Sequence, residues 1–372
     1  MSLPRWIVAL YLVLIVSACA GSAEDRAAVH SNNPVVEVGE FVREVGNNVM
    51  VVFQDRRNNL WMGSWTNGLY VFDGDSIRHI TEKHGLSSNR IEEIKEDSAG
   101  TVFVNTSKGL HRVVNGRLEL LTLDTFGVGV WRLQSQDLWF KHGGREGHLL
   151  RYDGKTLYSL RLPRAGLPAD LVKKHWVAAD PYGVYTIYKD SRNCWWFGTA
   201  CLGVCRLDST GVWWIHEPDL TELHDGPANG IRSIVEDRNG KFWFTTEFIY
   251  SIPSSPDQTN AHSNVVQTLT QPKHSYAKER GIGPLRGTSH PQTVEYLSSA
   301  RGPDGSLWFA TYRDGVFRYD GTSVKRYPIQ WNGQDVSACC VYINRQGVPL
   351  VGTDEHGIYQ LKDGVFQRIL TL

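Results

Sequence analysis

The feature of this 372-residue sequence that most restricts its fold is an internal repeat. Each unit has an apolar strand, a short turn rich in Asp, Asn and Gly, a strand centred on a large apolar residue, and a Gly-apolar-aromatic strand. The second strands centre on Trp61, Phe103, Trp139, Trp196, Trp243, Trp308 and Leu350. Repeats of several tens of residues are typical of propeller blades. The sequence therefore predicts an all-β chain, a β-propeller of seven four-stranded blades.

Stacking explains the repeat, because one four-stranded sheet cannot cover both of its apolar faces, whereas sheets arranged around an axis cover one another. We interpret the repeated tryptophan as part of this packing. The Asp-x-x-Gly step at residues 97–100 and 237–240 could be a calcium loop or a hairpin turn. Its recurrence at the same place favours a turn with glycine at positive φ. In the last blade, strands are predicted near residues 337–344, 348–353, 358–362 and 365–369.

The first residues have the order of an export signal. Arg5 precedes an apolar run, residues 6–16, that is too short for an ordinary transmembrane helix. The run ends in Val-Ser-Ala-Cys at residues 16–19, which resembles a bacterial lipobox. We expect residues 1–18 to be a lipoprotein signal peptide, Cys19 to carry the lipid that anchors the protein to a membrane, and residues 19–34 to form a flexible tether. An ordinary secretory signal is the alternative.

The expected location is the bacterial cell envelope, on the periplasmic side or at the cell surface. Ala20 follows the cysteine, where an aspartate would suggest inner-membrane retention, so the outer membrane is favoured.

Residues 35–372 are assigned to the propeller. We place a long insertion of blade five at about residues 254–293 and a long connection after blade three at residues 161–183. Residues 35–45 are predicted to form an additional outer strand that pairs with blade seven and closes the ring.

Two segments carry a family resemblance most clearly: residues 234–243, Ile-Val-Glu-Asp-Arg-Asn-Gly-Lys-Phe-Trp, and residues 315–321, Gly-Val-Phe-Arg-Tyr-Asp-Gly. With the other units, they resemble the two-component regulator propeller repeats over nearly all of residues 45–372. Blades three, five and seven depart from the pattern. The resemblance implies a periplasmic ligand-sensing propeller of the kind usually attached to membrane histidine kinases, often for glycans. Because this sequence shows no kinase helices or phosphate-binding loop, we expect a stand-alone lipoprotein that acts through a separate signalling or envelope protein.

Propellers bind ligands at the mouth of the central channel, where loops from all blades converge. The candidate ligand-binding residues in these loops are Trp65, Arg145, Glu247, Arg313 and His356. An aromatic ring beside charged groups suits an oligosaccharide or a peptide. For each single residue, an ordinary solvated loop position is the alternative.

Other functional classes are disfavoured. Lys plus Arg equals Asp plus Glu at 39 each, so no overall positive field favours nucleic acid. Streptogramin lyases are also seven-bladed and use metal and histidine chemistry, which His142, His356 and Glu247 imitate, but their spacing fits no compact metal motif. We expect no catalytic residue, metal or cofactor. A metal-assisted propeller lyase or hydrolase and a scaffold of an envelope complex remain alternatives.

Five further cysteines would lie in an oxidising compartment: Cys194, Cys201, Cys205, Cys339 and Cys340. A bridge from Cys201 to Cys194 or Cys205 fits across the turn of blade four. Cysteine also serves as a small buried apolar residue, which is the interpretation for Cys339 and Cys340 on an innermost strand. A zinc site is disfavoured because no paired Cys-x-x-Cys knuckle occurs.

Overall fold

The computed structural model describes residues 35–124, 131, 134–143, 147–164, 181–208, 211–216, 230–246, 248–253, 276–281, 296–312 and 314–371. Within them, seven antiparallel sheets follow one another along the chain, and each is one blade of a β-propeller. The only helical segment described is one 3-10 turn, Glu82–His84. These sheets confirm the predicted all-β, seven-bladed fold. No helix in the described part of the chain is long and apolar enough to cross a bilayer.

In each blade, successive strands are ordered from the central channel to the outer edge of the sheet. Strand β1 is the exception, because it lies on the outer edge of blade one. Blade one contains β1 (Glu40–Val42), β2 (Val49–Gln54), β3 (Leu60–Ser64), β4 (Leu69–Phe72) and β5 (Ile77–Ile80). Blade two contains β6 (Ile91–Glu96), β7 (Val102–Thr106), β8 (Gly109–Val114) and β9 (Arg117–Leu120). Blade three contains β10 (Leu138–Lys141), β11 (His148–Tyr152) and β12 (Leu157–Arg161). The place of its innermost strand falls largely outside the described residues.

Blades four to seven complete the ring. Blade four contains β13 (Val184–Lys189), β14 (Trp195–Thr199), β15 (Val204–Asp208) and β16 (Gly211–Ile215). Blade five contains β17 (Ile234–Glu236), β18 (Phe242–Phe244), β19 (Phe248–Ser251) and β20 (Ala277–Arg280). Blade six contains β21 (Tyr296–Arg301), β22 (Leu307–Thr311), β23 (Gly315–Tyr319) and β24 (Val324–Tyr327). A hairpin of β25 (Gln330–Trp331) and β26 (Gln334–Asp335) precedes blade seven, which contains β27 (Ala338–Ile343), β28 (Pro349–Thr353), β29 (Ile358–Lys362) and β30 (Val365–Ile369).

The last blade agrees with the sequence prediction to within a few residues, and its two outer strands have the predicted bounds. Blade five differs from the prediction. Its outermost strand β20 lies inside the segment that the sequence pattern assigned to an insertion, and it pairs with β19. The chain returns to the blade after residues 254–275 because β19 would otherwise present an unpaired edge.

In blades one, four and five, the aspartate of the turn between the first two strands holds the repeated tryptophan in place. In blade one, Asp55 Oδ1 accepts hydrogen bonds from the backbone N–H groups of Arg57 and Asn59, at 2.9 Å each. Its Oδ2 accepts one from the indole Nε1 of buried Trp61, also at 2.9 Å. Trp196 donates in the same way to Asp190 at 2.8 Å. The predicted turn interpretation of the repeated aspartate is therefore confirmed, and Gly100 has the expected positive φ of 90°.

Residues 35–45 form the predicted additional outer strand, but its main partner is different. Strand β1 pairs with β5 of blade one, not with blade seven. Before it, the Glu37 N–H donates to the Gly116 carbonyl of blade two at 2.7 Å. After it, Glu44 forms an isolated bridge with Thr371, beyond the last strand of blade seven. This outer segment thus contacts three consecutive blades, because an extended chain of this length can cross the edges of neighbouring sheets.

The ring closes through its innermost strands. Strand β2 of blade one contacts both β6 of blade two and β27 of blade seven. At this junction Val49 and Val52 pack with Cys340 and Leu350 in one buried cluster. The five described cysteines are all buried and no disulfide joins any two of them, so the possible bridges of Cys201 are not formed. Burial of Cys339 and Cys340 on β27 agrees with their interpretation as small apolar residues.

Candidate functional site

A cavity of about 1260 Å³ occupies the centre of the ring and one of its mouths; we call it the channel-mouth cavity. Its wall consists of the innermost strands. Its rim consists of the loops that join second to third strands and of the loops that lead into each blade. The rim residues include Asn48, Trp65, Arg90, His142, Tyr312 and Asp354. The loops converge here because successive blades point the same ends of their strands toward the same side of the ring.

The innermost strands share a bulge that turns one side chain toward the channel. In five blades, the register between the first and second strands skips one residue close to the start of the first strand. The skipped residues are Met50, Glu92, Tyr185, Leu297 and Cys339, and all five line the channel-mouth cavity. A bulge re-aims a side chain and is common beside binding sites. The repeat therefore builds a ring of inward-facing positions.

A sixth member of this ring comes from blade five. Arg232 lies just before β17 and lines the same cavity. All six residues stand five positions before the residue that opens the next turn, for example Glu92 before Asp97 and Arg232 before Asp237. We call them the bulge ring: Met50, Glu92, Tyr185, Arg232, Leu297 and Cys339. The equivalent residue of blade three, 132, lies outside the described residues.

The bulge ring is divided into two chemically different arcs. Blades six, seven and one contribute Leu297, Cys339 and Met50, which offer only apolar and sulfur surface. Blades two, four and five contribute Glu92, Tyr185 and Arg232. Desolvation by burial raises the pKa of Cys339 well above its ordinary value, so this thiol stays neutral. A ligand in the cavity would thus meet an apolar arc on one side and a polar arc on the other.

Glu92 forms the centre of an ion-pair group at the rim. Its carboxylate lies 2.6 Å from the Nε of Arg90 and 3.3 Å from the Nζ of Lys141. Burial alone would raise the pKa of Glu92, but Lys141 and Arg90 outweigh this effect and hold the pKa below its usual value. The carboxylate is therefore ionised at neutral pH. Arg90 also lies over the ring of Trp65, with 4.3 Å between the guanidinium carbon and the ring centroid.

Arg232 has a different environment. Its guanidinium carbon lies 4.7 Å from the ring centroid of Tyr185, the bulge residue of the neighbouring blade. Its backbone N–H donates to Thr245 Oγ1 at 3.1 Å, so the start of blade five is fixed independently of the side chain. No carboxylate of a described residue lies within ion-pair distance of this guanidinium. Within the described part of the chain, no carboxylate offsets the positive charge that Arg232 presents to the cavity.

The structure places the candidate residues from the sequence differently. Trp65 lines the channel-mouth cavity. His356 is absent from that lining and stacks instead on Trp331, with ring centroids 5.3 Å apart. The other candidates, Arg145, Glu247 and Arg313, lie outside the described residues, as does Cys19. Roles in binding remain predictions for all of them. No group of three or more His, Cys, Asp or Glu side chains suited to a metal occurs among the described residues.

Sequence reasoning missed the bulge ring, although a signal for it exists. The repeat keeps similar turn and core residues from blade to blade. The position five residues before each turn differs, and from blade one to blade seven it holds Met, Glu, Arg, Tyr, Arg, Leu and Cys. Such variation within an otherwise regular repeat indicates a position freed from packing. The sequence pattern indicates the loops, whose residues are unusually varied, and does not distinguish a bulged innermost strand from a regular one.

A closed ring of seven blades with a ligand-sized cavity at one mouth defines a seven-bladed β-propeller with a candidate binding site. Residues 225–248 match the family model described as two component regulator propeller. This match confirms the resemblance drawn from the repeat: the chain contains a two-component regulator propeller repeat. No curated protein sequence matches the chain.

Solved structures share the fold. One is the extracellular domain of a putative one component system from B. thetaiotaomicron, with 21% identity and a TM-score of 0.57. The match covers 86% of this chain and 39% of that one, so this chain spans well under half of that protein's length. A streptogramin B lyase matches with 13% identity and a TM-score of 0.59, covering 88% and 97%. A virginiamycin B lyase from Staphylococcus aureus matches with 15% identity and a TM-score of 0.58, covering 86% and 99%.

Proposed function

We propose that this protein is a non-catalytic, ligand-recognition propeller of the bacterial cell envelope, with a sensor-like role. It binds a small extracellular or periplasmic ligand, an oligosaccharide or a peptide, in the channel-mouth cavity. A separate partner protein transmits the result. The observation that carries the proposal is the bulge ring, in which a regular repeat turns six chemically different side chains toward one cavity.

The dimensions of the site support recognition of a small molecule. Ligand pockets usually have volumes of roughly 300–1,000 Å³ and combine apolar walls with a few placed polar groups. The channel-mouth cavity, at about 1260 Å³, is somewhat larger and has the same combination. Buried tryptophans anchored to turn aspartates in blades one, four and five support the wall of this site.

The comparisons support the sensor-like part of the proposal. The family model is that of a two component regulator propeller, and a solved relative is the extracellular domain of a putative one component system. A sensor-like role is what we carry over from these names. The lyases share only the fold with this chain at 13–15% identity.

The lipid anchor on Cys19 is part of the proposal. It would hold the propeller at a membrane of the envelope, with the outer membrane favoured, and leave the channel mouth open to solutes. Metabolic labelling with palmitate of the full-length protein, beside its Cys19→Ser variant, tests the anchor. Label in both proteins, or in neither, would contradict it.

Ligand binding is tested by thermal unfolding of the full-length protein in detergent with neutral oligosaccharides, short peptides and divalent metals. A ligand at 100 times its dissociation constant adds about 2.7 kcal/mol to the free energy of unfolding, which is a visible shift. We expect a sugar or peptide to stabilise the protein and Trp65→Ala to weaken that effect. Phe41→Ala, on the outer edge with a side chain 65% exposed, is the matched aromatic control.

Two results would contradict the proposal. A panel with no stabilising sugar or peptide would favour the envelope scaffold. Metal-dependent conversion of a bound ligand, followed by mass spectrometry, would favour the lyase or hydrolase.

A further inference from the structure

From the bulge ring we infer that the ligand is a short peptide with a free C-terminal carboxylate, held by Arg232, and with an apolar C-terminal side chain that lies on Leu297, Cys339 and Met50. This inference rests on the proposed function and narrows its ligand class. It assigns Arg232, which none of the sequence motifs indicated, as the residue that determines specificity.

The distribution of charge along the cavity wall points to an anionic ligand group. Arg90 and Lys141 share the single carboxylate of Glu92, so this group keeps one net positive charge spread over two cations. Arg232 is half-buried over Tyr185 and pairs with no carboxylate of a described residue. A partly desolvated guanidinium without an anion is unfavourable, and a carboxylate relieves this cost through two parallel hydrogen bonds.

The order of residues around the ring places an apolar surface next to this charge. Arg232 belongs to blade five, and Leu297, Cys339 and Met50 follow in blades six, seven and one. In the C-terminal residue of a peptide, the carboxylate and the side chain branch from the same Cα. They therefore suit neighbouring ring positions, one charged and one apolar. The partly exposed Leu297 is the first apolar member beside Arg232.

The same wall is less suited to a neutral oligosaccharide. Sugars bind by stacking on open aromatic faces and by hydrogen bonds to their hydroxyl groups. A guanidinium lies over the ring of Trp65 and another over that of Tyr185. Three hydroxyl groups of the wall are engaged within the protein, because Ser233 bonds to Ser299 and Ser298 accepts the Val341 N–H at 3.2 Å. The apolar arc offers no strong partner for sugar hydroxyls.

A second charge at the rim also fits a peptide. Asp354, in a loop of blade seven, lines the cavity and has no ion-pair partner among the described residues. A short unblocked peptide carries one negative and one positive terminus. The uncompensated charges of Arg232 and Asp354 have the complementary signs.

Isothermal titration calorimetry on the full-length protein in detergent tests the inference with three probes. The first is a pool of tetrapeptides ending in leucine with a free carboxylate. The second is the same pool with a C-terminal amide, and the third is a set of neutral malto- and cello-oligosaccharides. We expect the acid pool to bind at least about tenfold more tightly than the amide pool, as loss of a charge-assisted contact predicts.

Variants at residue 232 then test whether Arg232 causes the preference for the free carboxylate. In Arg232→Gln the acid and amide pools should bind equally, whereas Arg232→Lys should keep part of the preference for the acid. Because the backbone of residue 232, not its side chain, bonds to Thr245, these changes leave the start of blade five supported. Arg117→Gln, on the outer strand of blade two with a side chain 75% exposed, is the matched control and should change neither pool.

The outcomes separate the inference from the proposed function. Binding of the oligosaccharides alone would overturn the inference and keep recognition at the channel mouth. Equal binding of acid and amide pools by the unmodified protein would also overturn it. If no probe bound, the result would contradict both the inference and the proposed function.

Discussion

At the scale of single residues, the turn aspartate of blade one satisfies several buried donors within its own blade. Asp55 is 2% exposed and accepts from two backbone N–H groups, the side chain of Asn59 and the indole of Trp61. Removing such an acceptor would strand several buried donors, each at about 1–3 kcal/mol. The turn aspartate thus links the local hairpin to the core tryptophan, and this explains why the two residue types recur together.

His111 of blade two is a buried polar residue of a different kind, since it titrates. It is 1% exposed, and its Nε2 accepts the backbone N–H of Ser87 at 3.0 Å. Burial lowers its pKa to about 4 from an ordinary value of 6.5. Between these values the unfolded chain binds more protons than the folded protein. The contribution of His111 to stability is therefore complete above pH 6.5 and is lost as the pH falls toward 4.

We expect urea unfolding of the unmodified protein to show this loss, with a size on the order of 3 kcal/mol between pH 6.5 and 4. His111→Gln keeps an acceptor for Ser87 and does not titrate, so its stability should fall less over this range. His84→Gln, at a half-buried position in the 3-10 turn, is the control. Parallel pH profiles for the unmodified protein and His111→Gln would contradict the assignment.

At the scale of elements, the outer segment of residues 35–45 contacts blades two, one and seven on their outer edges, away from the innermost strands. It is anchored by two buried valines. Val36 packs in the cluster of Trp61 and Leu86, and Val45 packs in the cluster of Val49 and Ile358. Both are at most 2% exposed. Strand β1 itself is short and largely exposed, so its stability depends on these two anchors more than on its ladder.

Truncating the anchors tests this dependence. Val36→Ala and Val45→Ala should each lower the free energy of unfolding by about 2 kcal/mol, because each removes buried methyl groups and leaves a cavity. The double variant should show the sum of the two losses, since the valines lie in separate clusters. Val365→Ala, at a side chain 59% exposed, should change stability by less than about 0.5 kcal/mol. Equal losses at all three positions in urea titrations would refute the anchoring role.

At the scale of the whole molecule, the ring closes by packing between blades one and seven without a shared sheet. The contact is close. A Cβ on Gly352 of β28 would lie 2.3 Å from the Val49 carbonyl oxygen of β2. In blade six the same position of the repeat is Ala310, so a Cβ is accommodated there in a buried site. The position is also glycine in blades one and four, where a Cβ on Gly63 or Gly198 would lie 2.6 Å from the next blade, so the closing seam uses the same close approach as two other blade junctions.

Gly352→Ala should force the two blades apart and lower the free energy of unfolding by about 2 kcal/mol. Hydrogen exchange should locate the damage, with faster exchange in β2 and β27 and unchanged exchange in β14 of blade four. Ala310→Gly, the matched change in blade six, should leave β2 unaffected. A uniform increase in exchange over all blades would show that Gly352 has no special place in closure.

Much of the fold follows from the sequence because the period of the repeat and its turn residues are local signals. Seven aromatic or apolar strand centres predicted seven blades, and the turn glycines fixed the strand bounds of blade seven almost to the residue. Where the local signal is weak, prediction was less accurate. Strand β20 is short, exposed and follows a long intervening segment, so no pattern distinguished it from a loop.

The channel-mouth cavity shows most clearly which features the sequence determines and which depend on the tertiary structure. The sequence by itself determined that loops would converge on one channel mouth and that Trp65 would be among them. Only the tertiary structure revealed that the innermost strands bulge and that Arg90 and Lys141 share Glu92. It also revealed that Arg232 stands over Tyr185 and that no described carboxylate pairs with it. The reason is physical: repeat and turn signals act between near neighbours in the chain, whereas the charge of a site depends on side chains that closure brings together from different blades.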